Sequence, residues 1–218
     1  MNNTIDTSDP MRLLKDSSPT PFFNKQDTTK VSFGHLPHWS QYKKIYAVTF
    51  RLHDSLPLKV LKAFQKQCVE MIGEEIHNFK SKRDVLLQKK MMEYMDAGYG
   101  ECLLRHKDIR NIVEAAFEYI SQTNVRVHAF VIMPNHVHCV LETLNEAEIQ
   151  NVMHSIKGFT GTRINAYLHR KGCVWQREYY DRIIRTPNHY ANTILYILSN
   201  PRNCKEGEYS LGGEIFTK

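Results

Sequence analysis

The apolar positions of the chain recur with two periods, of two residues and of about 3.6 residues, which predict strands and helices respectively. Short stretches rich in β-branched and aromatic residues predict strands over 44–52, 125–133, 136–142 and 182–185, and around Val174. Helical spacing predicts a helix from Pro57 to Phe79, a charged helical piece over 81–104, helices over 109–121 and 146–170, and a last helix from Thr186.

The order of these elements indicates the fold class. The pair Pro134-Asn135 separates the second and third strands and predicts a hairpin turn. Strands separated by helices, with one hairpin, predict an α+β domain with a mainly antiparallel sheet. Residues 1–35 lack periodicity and are polar with several prolines, so we expect a poorly ordered arm before a single domain over 36–218.

Composition and charge indicate the cellular compartment of this domain and the type of partner it binds. The five cysteines are odd in number and scattered, which favours free thiols in a reducing compartment. No apolar stretch reaches the roughly 18 residues of a membrane span, and the first thirty residues are polar rather than basic and then apolar, so we expect a soluble cytoplasmic protein. The formal net charge of +6 and the pI of about 9.0 favour a polyanionic partner.

Candidate chemistry begins in the third predicted strand, which contains the sequence HVH. Side chains two residues apart on a strand share a face, so His136 and His138 are close enough to hold one metal ion. The opposite face carries Val137, Cys139 and Leu141 and can pack on helices. The alternative is a chance pair among 11 histidines. Two buried imidazoles need polar partners in either case.

The last helix places a phenol and a carboxamide on one side. At about 100° per residue, its core-facing stripe consists of Tyr190, Ile194, Ile197 and Leu198. Tyr196 and Asn200 lie off that stripe and one turn apart, with His189 two turns earlier. The alternative is a half-buried surface tyrosine followed by an asparagine that caps the helix before Pro201.

Several spaced motifs resemble a known family. They are LPHWSQYKKIYAVTFRL, MPNHVH, IKGFTGTRIN, VWQREYYDRIIR and YILSNP, in this order. Together they resemble the REP-associated tyrosine transposases of bacteria, relatives of the single-tyrosine HUH transposases, over residues 36–203. The resemblance implies a ferredoxin-like sheet with helices packed on one face and the catalytic tyrosine on a C-terminal helix. The chain departs from the family in its N-terminal arm and in a probable helical insert over 80–104.

The resemblance also implies roles for the candidate residues. His136, His138 and Asn200 would bind a divalent cation, Mg²⁺ or Mn²⁺, and Tyr196 would be the nucleophile. Tyr196 would cut single-stranded or hairpin-forming palindromic DNA and hold it as a 5′-phosphotyrosine, which conserves bond energy for joining a second strand. Such an enzyme is expected in the cytoplasm on the nucleoid, and a homodimer is one option for its assembly.

A basic and aromatic segment, HRKGCVWQREYYDRIIR, is the expected DNA-binding segment. Arg177, Arg182 and Arg185 would contact phosphates, and Trp175 and Tyr180 would stack on unpaired bases. The alternative for the aromatic residues is the protein core. Two basic residues of the preceding helix could contribute to DNA binding or lie on a solvated face: Lys157 and Arg163.

Two rival functions stay open at this point. A domain with the same fold could bind DNA without cutting it. A two-histidine phosphoesterase is the other rival, because HWS (38–40) and HDS (53–55) are His-x-Ser pairs. The group that would deprotonate Tyr196 is not indicated, although His189 lies on the same side of the helix.

Overall fold

The structure is a computed structural model that describes residues 9–33, 37–57 and 97–217, together with 60, 62, 63, 66 and 93–95. Its strands are β1 (Lys30–Phe33), β2 (Pro37–Ser40), β3 (Ile45–Arg51), β4 (Val125–Ile132), β5 (His136–Thr143), β6 (Tyr180–Ile183) and β7 (Ser210–Gly212). Its α-helices in these ranges are α1 (Lys107–Ser121), α2 (Ile149–Tyr167) and α3 (Pro187–Ser199). Short 3-10 helices span Pro10–Asp16, Leu103–Arg105, Asn200–Asn203 and Glu214–Phe216.

Five strands form the central sheet in the order β6-β3-β5-β4-β7, and every pair is antiparallel. The chain order β3, α1, β4, β5, α2, β6, with β3 and β5 in the centre, is the ferredoxin-like arrangement. The predicted α+β fold class is therefore confirmed. Strands β1 and β2 pair as a separate two-stranded sheet.

The two faces of the sheet bury different side chains. On β5, Val137, Cys139 and Leu141 point to α1 and α2 and join a large apolar cluster; we call this side the apolar face. His136 and His138 point to the other side, where α3 packs through Tyr190, Ile194 and Ile197; we call it the histidine face. The predicted layer of helices on one face is found for α1 and α2, whereas the C-terminal helix covers the opposite face.

Most predicted elements of the domain are present. The strand over 44–52, the hairpin around Pro134-Asn135 and the helix over 146–170 correspond to β3, β4 with β5, and α2. Around Val174 the structure has an isolated bridge, between Leu52 and Trp175, and the strand predicted over 182–185 begins two residues earlier. The predicted helices over 57–79 and 81–104 fall mostly outside the described residues.

The N-terminal segment differs from the prediction of a poorly ordered arm. Leu13 is buried against α3, and Arg12 donates a hydrogen bond to the carbonyl of Ile215 at 2.7 Å. The backbone N–H of Ser18 donates to the carboxylate of Glu142 at 2.8 Å. Residues 9–33 are held by individual apolar and polar contacts with the domain, which leave no periodic pattern in the sequence. Among the described residues, no helix is both long and apolar enough to cross a membrane.

Candidate active site

The two histidines lie in the middle of the histidine face. They belong to β5, the central strand, and His136 and His138 are 0% and 4% exposed. Their ring centroids are 4.7 Å apart and their planes are nearly perpendicular, at 80°. The prediction that the two rings share a face is confirmed. Two imidazoles at this separation can act on the same ion or substrate atom.

Each histidine is oriented through its Nδ1 atom. Thr49, directly opposite His138 on β3, places its Oγ1 2.7 Å from His138 Nδ1. Asn135 places its Oδ1 2.7 Å from His136 Nδ1. Burial lowers the pKa of His138 to about 3, and burial together with the neighbouring His138 lowers the pKa of His136 well below 6.5. Both rings are therefore neutral at neutral pH, which is the state that binds a cation.

Helix α3 brings a tyrosine to these rings. It begins as predicted, with Pro187 in its first turn and the Thr186 side chain accepting a hydrogen bond from the His189 N–H at 3.1 Å. The Tyr196 hydroxyl lies 3.4 Å from His138 Nε2, and the two ring centroids are 5.2 Å apart. Tyr196 is 41% exposed, so the phenol touches the buried histidines and is also accessible from solvent.

Asn200 stands at the C-terminal end of the same helix, one turn after Tyr196. Its Oδ1 atom is buried and accepts no hydrogen bond from the described residues. A buried amide oxygen of this kind needs a donor or a cation. The described ranges contain no group of three His, Cys, Asp or Glu side chains that could hold a metal ion, so a third protein ligand beside the two histidines would have to be of another type, such as this amide.

The position of His189 on α3 is defined by a contact with the segment before the helix. It lies in the first turn of α3, where its Nδ1 accepts a hydrogen bond from the Arg185 backbone N–H at 3.3 Å. The imidazole that the described contacts bring to Tyr196 is that of His138.

A buried polar network beside the site was missed by the sequence analysis. The strand register shifts between Val127 and Ala129, and His128, inside this irregularity, is fully buried. Its ring contacts the Tyr190 hydroxyl at 2.8 Å and the Glu142 carboxylate at 3.0 Å. The network ties the tyrosine helix to the sheet. An alternation pattern cannot reveal it, because a β-bulge changes the facing of residues without a signature in composition.

The predicted DNA-binding residues divide between the two faces. Tyr180 and Arg182 of β6 stand opposite Thr49 and Ala47 on β3, which places them on the histidine face, at the edge of the candidate site. Arg177 and Arg185 are exposed in the segments on either side of β6.

The other predicted DNA-binding residues lie on α2 or pack against it: Trp175, Lys157 and Arg163. The prediction that Trp175 stacks on bases is wrong, because the indole is 7% exposed and donates a hydrogen bond to Thr160 Oγ1 at 2.8 Å. Lys157 is held by a hydrogen bond to the Arg177 carbonyl at 2.6 Å, and burial lowers its pKa to about 8. Arg163 is exposed on α2 and lies over the Phe159 ring.

The histidines of the phosphoesterase alternative have unlike surroundings. His38 is buried, and its Nδ1 lies 2.5 Å from Asp181 Oδ1 while its Nε2 lies 3.4 Å from Glu178 Oε2. His53 is exposed. The two histidines therefore differ in exposure, and no described contact brings them together on one substrate.

A family match covers the part of the chain that carries these residues. Residues 98–200 match the family described as Transposase IS200 like, a range just under half of the chain that includes both histidines, Tyr196 and Asn200. This match supports the resemblance that the spaced motifs indicated, and it supports a transposase function.

Individual similarities are more distant. An uncharacterized protein of Haemophilus influenzae is 29% identical over an alignment covering 46% of this chain and 73% of that protein. Among solved structures, a REP-associated tyrosine transposase bound to a REP hairpin has 13% identity and a TM-score of 0.40, covering 83% of this chain and 72% of its own. A candidate transposase of Deinococcus radiodurans R1 has 15% identity and a TM-score of 0.35, covering 73% and 92%. Both TM-scores are below 0.5, so these two structural similarities are distant.

Proposed function

We propose that this protein is a transposase that cuts and rejoins single-stranded or hairpin DNA through a covalent bond to Tyr196. The observation that supports this most directly is the 3.4 Å distance between the Tyr196 hydroxyl and His138 Nε2. A phenol beside a pair of neutral imidazoles combines a nucleophile with potential metal ligands in one place. A protein that only binds DNA has no need for this combination.

His136, His138 and Asn200 are the residues that would hold a divalent cation. Two neutral imidazoles and one amide oxygen form a mixed nitrogen and oxygen set that suits Mn²⁺, and the motif resemblance implies Mn²⁺ or Mg²⁺. The buried Asn200 Oδ1, which has no donor among the described residues, fits this role. When bound, the cation would polarise a non-bridging phosphate oxygen and so make the phosphorus a better electrophile.

In the proposed reaction, the Tyr196 oxygen attacks phosphorus in line and loses its proton. A bond forms from Tyr196 Oη to phosphorus, and the bond from phosphorus to the 3′ oxygen of the preceding nucleotide breaks. The leaving 3′ oxygen takes up a proton, which balances the proton that Tyr196 loses. The products are a 5′-phosphotyrosine and a strand ending in a 3′-hydroxyl. A 3′-hydroxyl from another strand can reverse the step, which joins the strands without an external energy source.

Arg182 and Tyr180 are the proposed contacts to the DNA strand next to the site, because they share the histidine face with Thr49 and His138. Tyr196 and both histidines belong to the same chain, so one protomer carries the whole proposed site. A homodimer stays a prediction.

The experiment is the capture of the covalent intermediate. Wild-type protein is incubated with a labelled single-stranded hairpin and Mn²⁺ or Mg²⁺, and adducts that resist denaturation are separated and mapped by peptide sequencing. We expect an adduct on Tyr196 that is lost on treatment with EDTA.

The matched variants are Tyr196→Phe and Tyr180→Phe, which each remove one phenol hydroxyl from the histidine face. Tyr196→Phe should abolish the adduct and leave hairpin affinity within about twofold, whereas Tyr180→Phe should still form it. Hairpin binding by the wild type without any adduct, under both metals, would support the DNA-binding alternative instead.

A further inference from the structure

The structure contains a buried asparagine whose function is not explained by packing. Asn135, in the turn before β5, is 1% exposed. Its Nδ2 donates a hydrogen bond to the Tyr99 carbonyl at 3.0 Å, and its Oδ1 lies 2.7 Å from His136 Nδ1. The side chain therefore joins the segment before α1 to one of the two histidines of the site.

These two contacts determine where His136 carries its proton. A backbone carbonyl only accepts hydrogen bonds, so the amide group that faces Tyr99 must be the NH₂. The oxygen of Asn135 then faces His136 Nδ1, and because this oxygen is also only an acceptor, Nδ1 must be the N–H. In a neutral imidazole the other nitrogen, Nε2, then carries the lone pair.

His138 is held in a less restrictive way. Its Nδ1 lies 2.7 Å from Thr49 Oγ1, but a hydroxyl can donate or accept, so this contact allows either tautomer. The Thr49 contact fixes the ring orientation, and the Asn135 contact fixes both the ring orientation and the proton of its histidine.

We infer that Asn135 is a positioning residue that keeps His136 in the tautomer whose Nε2 can bind the cation, with Thr49 orienting His138 in parallel. This inference rests on the proposed function, because it concerns how the chain prepares its metal ligands. Partners of this kind typically change metal affinity by about 10–100-fold when they are removed.

The test uses metal-free, ¹⁵N-labelled full-length protein and long-range proton–nitrogen NMR spectra, which report the protonated nitrogen of each histidine. In the wild type we expect His136 to carry its proton on Nδ1. In Asn135→Ala this preference should be lost, and Mn²⁺ affinity, measured by electron paramagnetic resonance, should fall by about 10–100-fold. Asn135→Asp, which keeps an acceptor for Nδ1–H and loses the donor to the Tyr99 carbonyl, should retain the tautomer.

Variants at two further positions serve as comparisons. Thr49→Val should weaken Mn²⁺ binding by up to about tenfold, and Thr49→Ser should restore it. Asn165→Ala removes a side chain whose amide donates to the Gly172 carbonyl on the apolar side of the sheet, and it should leave both readouts unchanged. Thermal unfolding of each variant establishes that it is folded.

Different results separate this inference from the proposed function. The inference is overturned if wild-type His136 carries its proton on Nε2, a measurement that needs no variant. It is also overturned if folded Asn135→Ala keeps the wild-type tautomer and Mn²⁺ affinity while the wild type forms the Tyr196 adduct. The proposed function fails instead if the wild type binds no Mn²⁺ at the histidines and forms no adduct.

Discussion

The two faces of the central sheet are built from alternate residues of the same strands, yet they differ in the chemistry they bury. On the apolar face, Phe117 of α1 stacks on Phe130 of β4 with ring centroids 4.5 Å apart, inside a continuous apolar cluster. On the histidine face, fully buried side chains include His128, His136 and Glu142. Polar groups at such depth are stable only with partners, and here the partners are specific hydrogen bonds.

One face of the sheet therefore mainly stabilises the domain, whereas the other face positions the groups of the candidate site. The apolar face buries area without directional requirements, so it can supply most of the hydrophobic stabilisation of the domain. The histidine face requires each imidazole to meet a defined oxygen, such as Thr49 Oγ1 or Asn135 Oδ1. Substitutions on the two faces should therefore have different consequences.

The largest expected effect on stability is at Trp175, which belongs to the core of the apolar face. Trp175→Ala should lower the free energy of unfolding by about 3–5 kcal/mol, because it removes a buried indole packed on Phe50. Hairpin affinity of the folded fraction should not change. Chemical denaturation and filter binding at a temperature where the variant is folded measure the two quantities.

Tyr180→Ala is the counterpart on the histidine face. It should change stability less than Trp175→Ala does, and weaken hairpin binding by about 1–3 kcal/mol if its ring stacks on a base. A loss of affinity of that size in Trp175→Ala instead would indicate that the indole contacts DNA.

Acid should destabilise the protein through the histidine face. The folded-state pKa values of His136 and His138 are lowered from 6.5, so below pH 6.5 the unfolded chain binds protons that the folded protein does not. Each ring can then lower the free energy of unfolding by up to about 1.4 kcal/mol per pH unit as pH falls below 6.5, down to about pH 3 for His138, with no effect well above pH 6.5. His38 has a raised pKa and acts with the opposite sign: its contribution is full below pH 6.5 and is lost as pH rises.

Urea unfolding in EDTA at pH 7.5 and pH 5.5 measures the loss of stability that the two histidines cause in acid. Between these two values, the wild type should lose up to about 3 kcal/mol more than a variant carrying both His136→Gln and His138→Gln. Equal losses in the two proteins would show that the rings already titrate normally in the folded state.

The difference between the apolar face and the histidine face also explains how much of each could be predicted from the sequence. The periods of two and 3.6 residues reveal the apolar face, α2 and the hairpin, because burial repeats regularly along those elements. They also place His136 with His138, which lie on one strand, and Tyr196 with Asn200, which directly follows the helix that carries Tyr196. The contact between the pairs depends on how α3 packs on the sheet, which no local pattern encodes; only the family resemblance suggested it.

The residues that sequence analysis missed act through single contacts between elements distant in the chain. Asn135 joins His136 to the Tyr99 carbonyl, and His128 reaches Tyr190 from a β-bulge. The packing of residues 9–33 on the domain is of the same kind. Trp175 was misassigned because an aromatic residue in a basic segment has the same local sequence whether it faces DNA or the core.

Two buried tyrosines, one on each face, allow a closely matched comparison in which the expected effect on stability is smaller. Tyr46, on the apolar side, donates to the Gln41 carbonyl at 2.6 Å, and Tyr190, on α3, contacts His128 Nδ1 at 2.8 Å. Removing either hydroxyl leaves a buried group without its partner, so Tyr46→Phe and Tyr190→Phe should each lower the free energy of unfolding by about 1–2 kcal/mol. Only Tyr190→Phe should also slow formation of the Tyr196 adduct, because it loosens α3 on the sheet. Equal adduct rates in the two variants would mean that the apolar contacts of α3 are sufficient to place Tyr196.

The smallest expected effect concerns two exposed or half-exposed arginines. Arg182 lies on the histidine face, and Arg163 lies on α2 beyond the apolar face. If DNA follows the histidine face, Arg182→Ala should reduce the slope of log affinity against log salt concentration by about one, which is the signature of one lost phosphate contact. Arg163→Ala should leave the slope unchanged, although both variants lose one positive charge from the same protein. A reduced slope in Arg163→Ala alone would place the DNA on α2, far from the phenol that the proposed reaction requires it to reach.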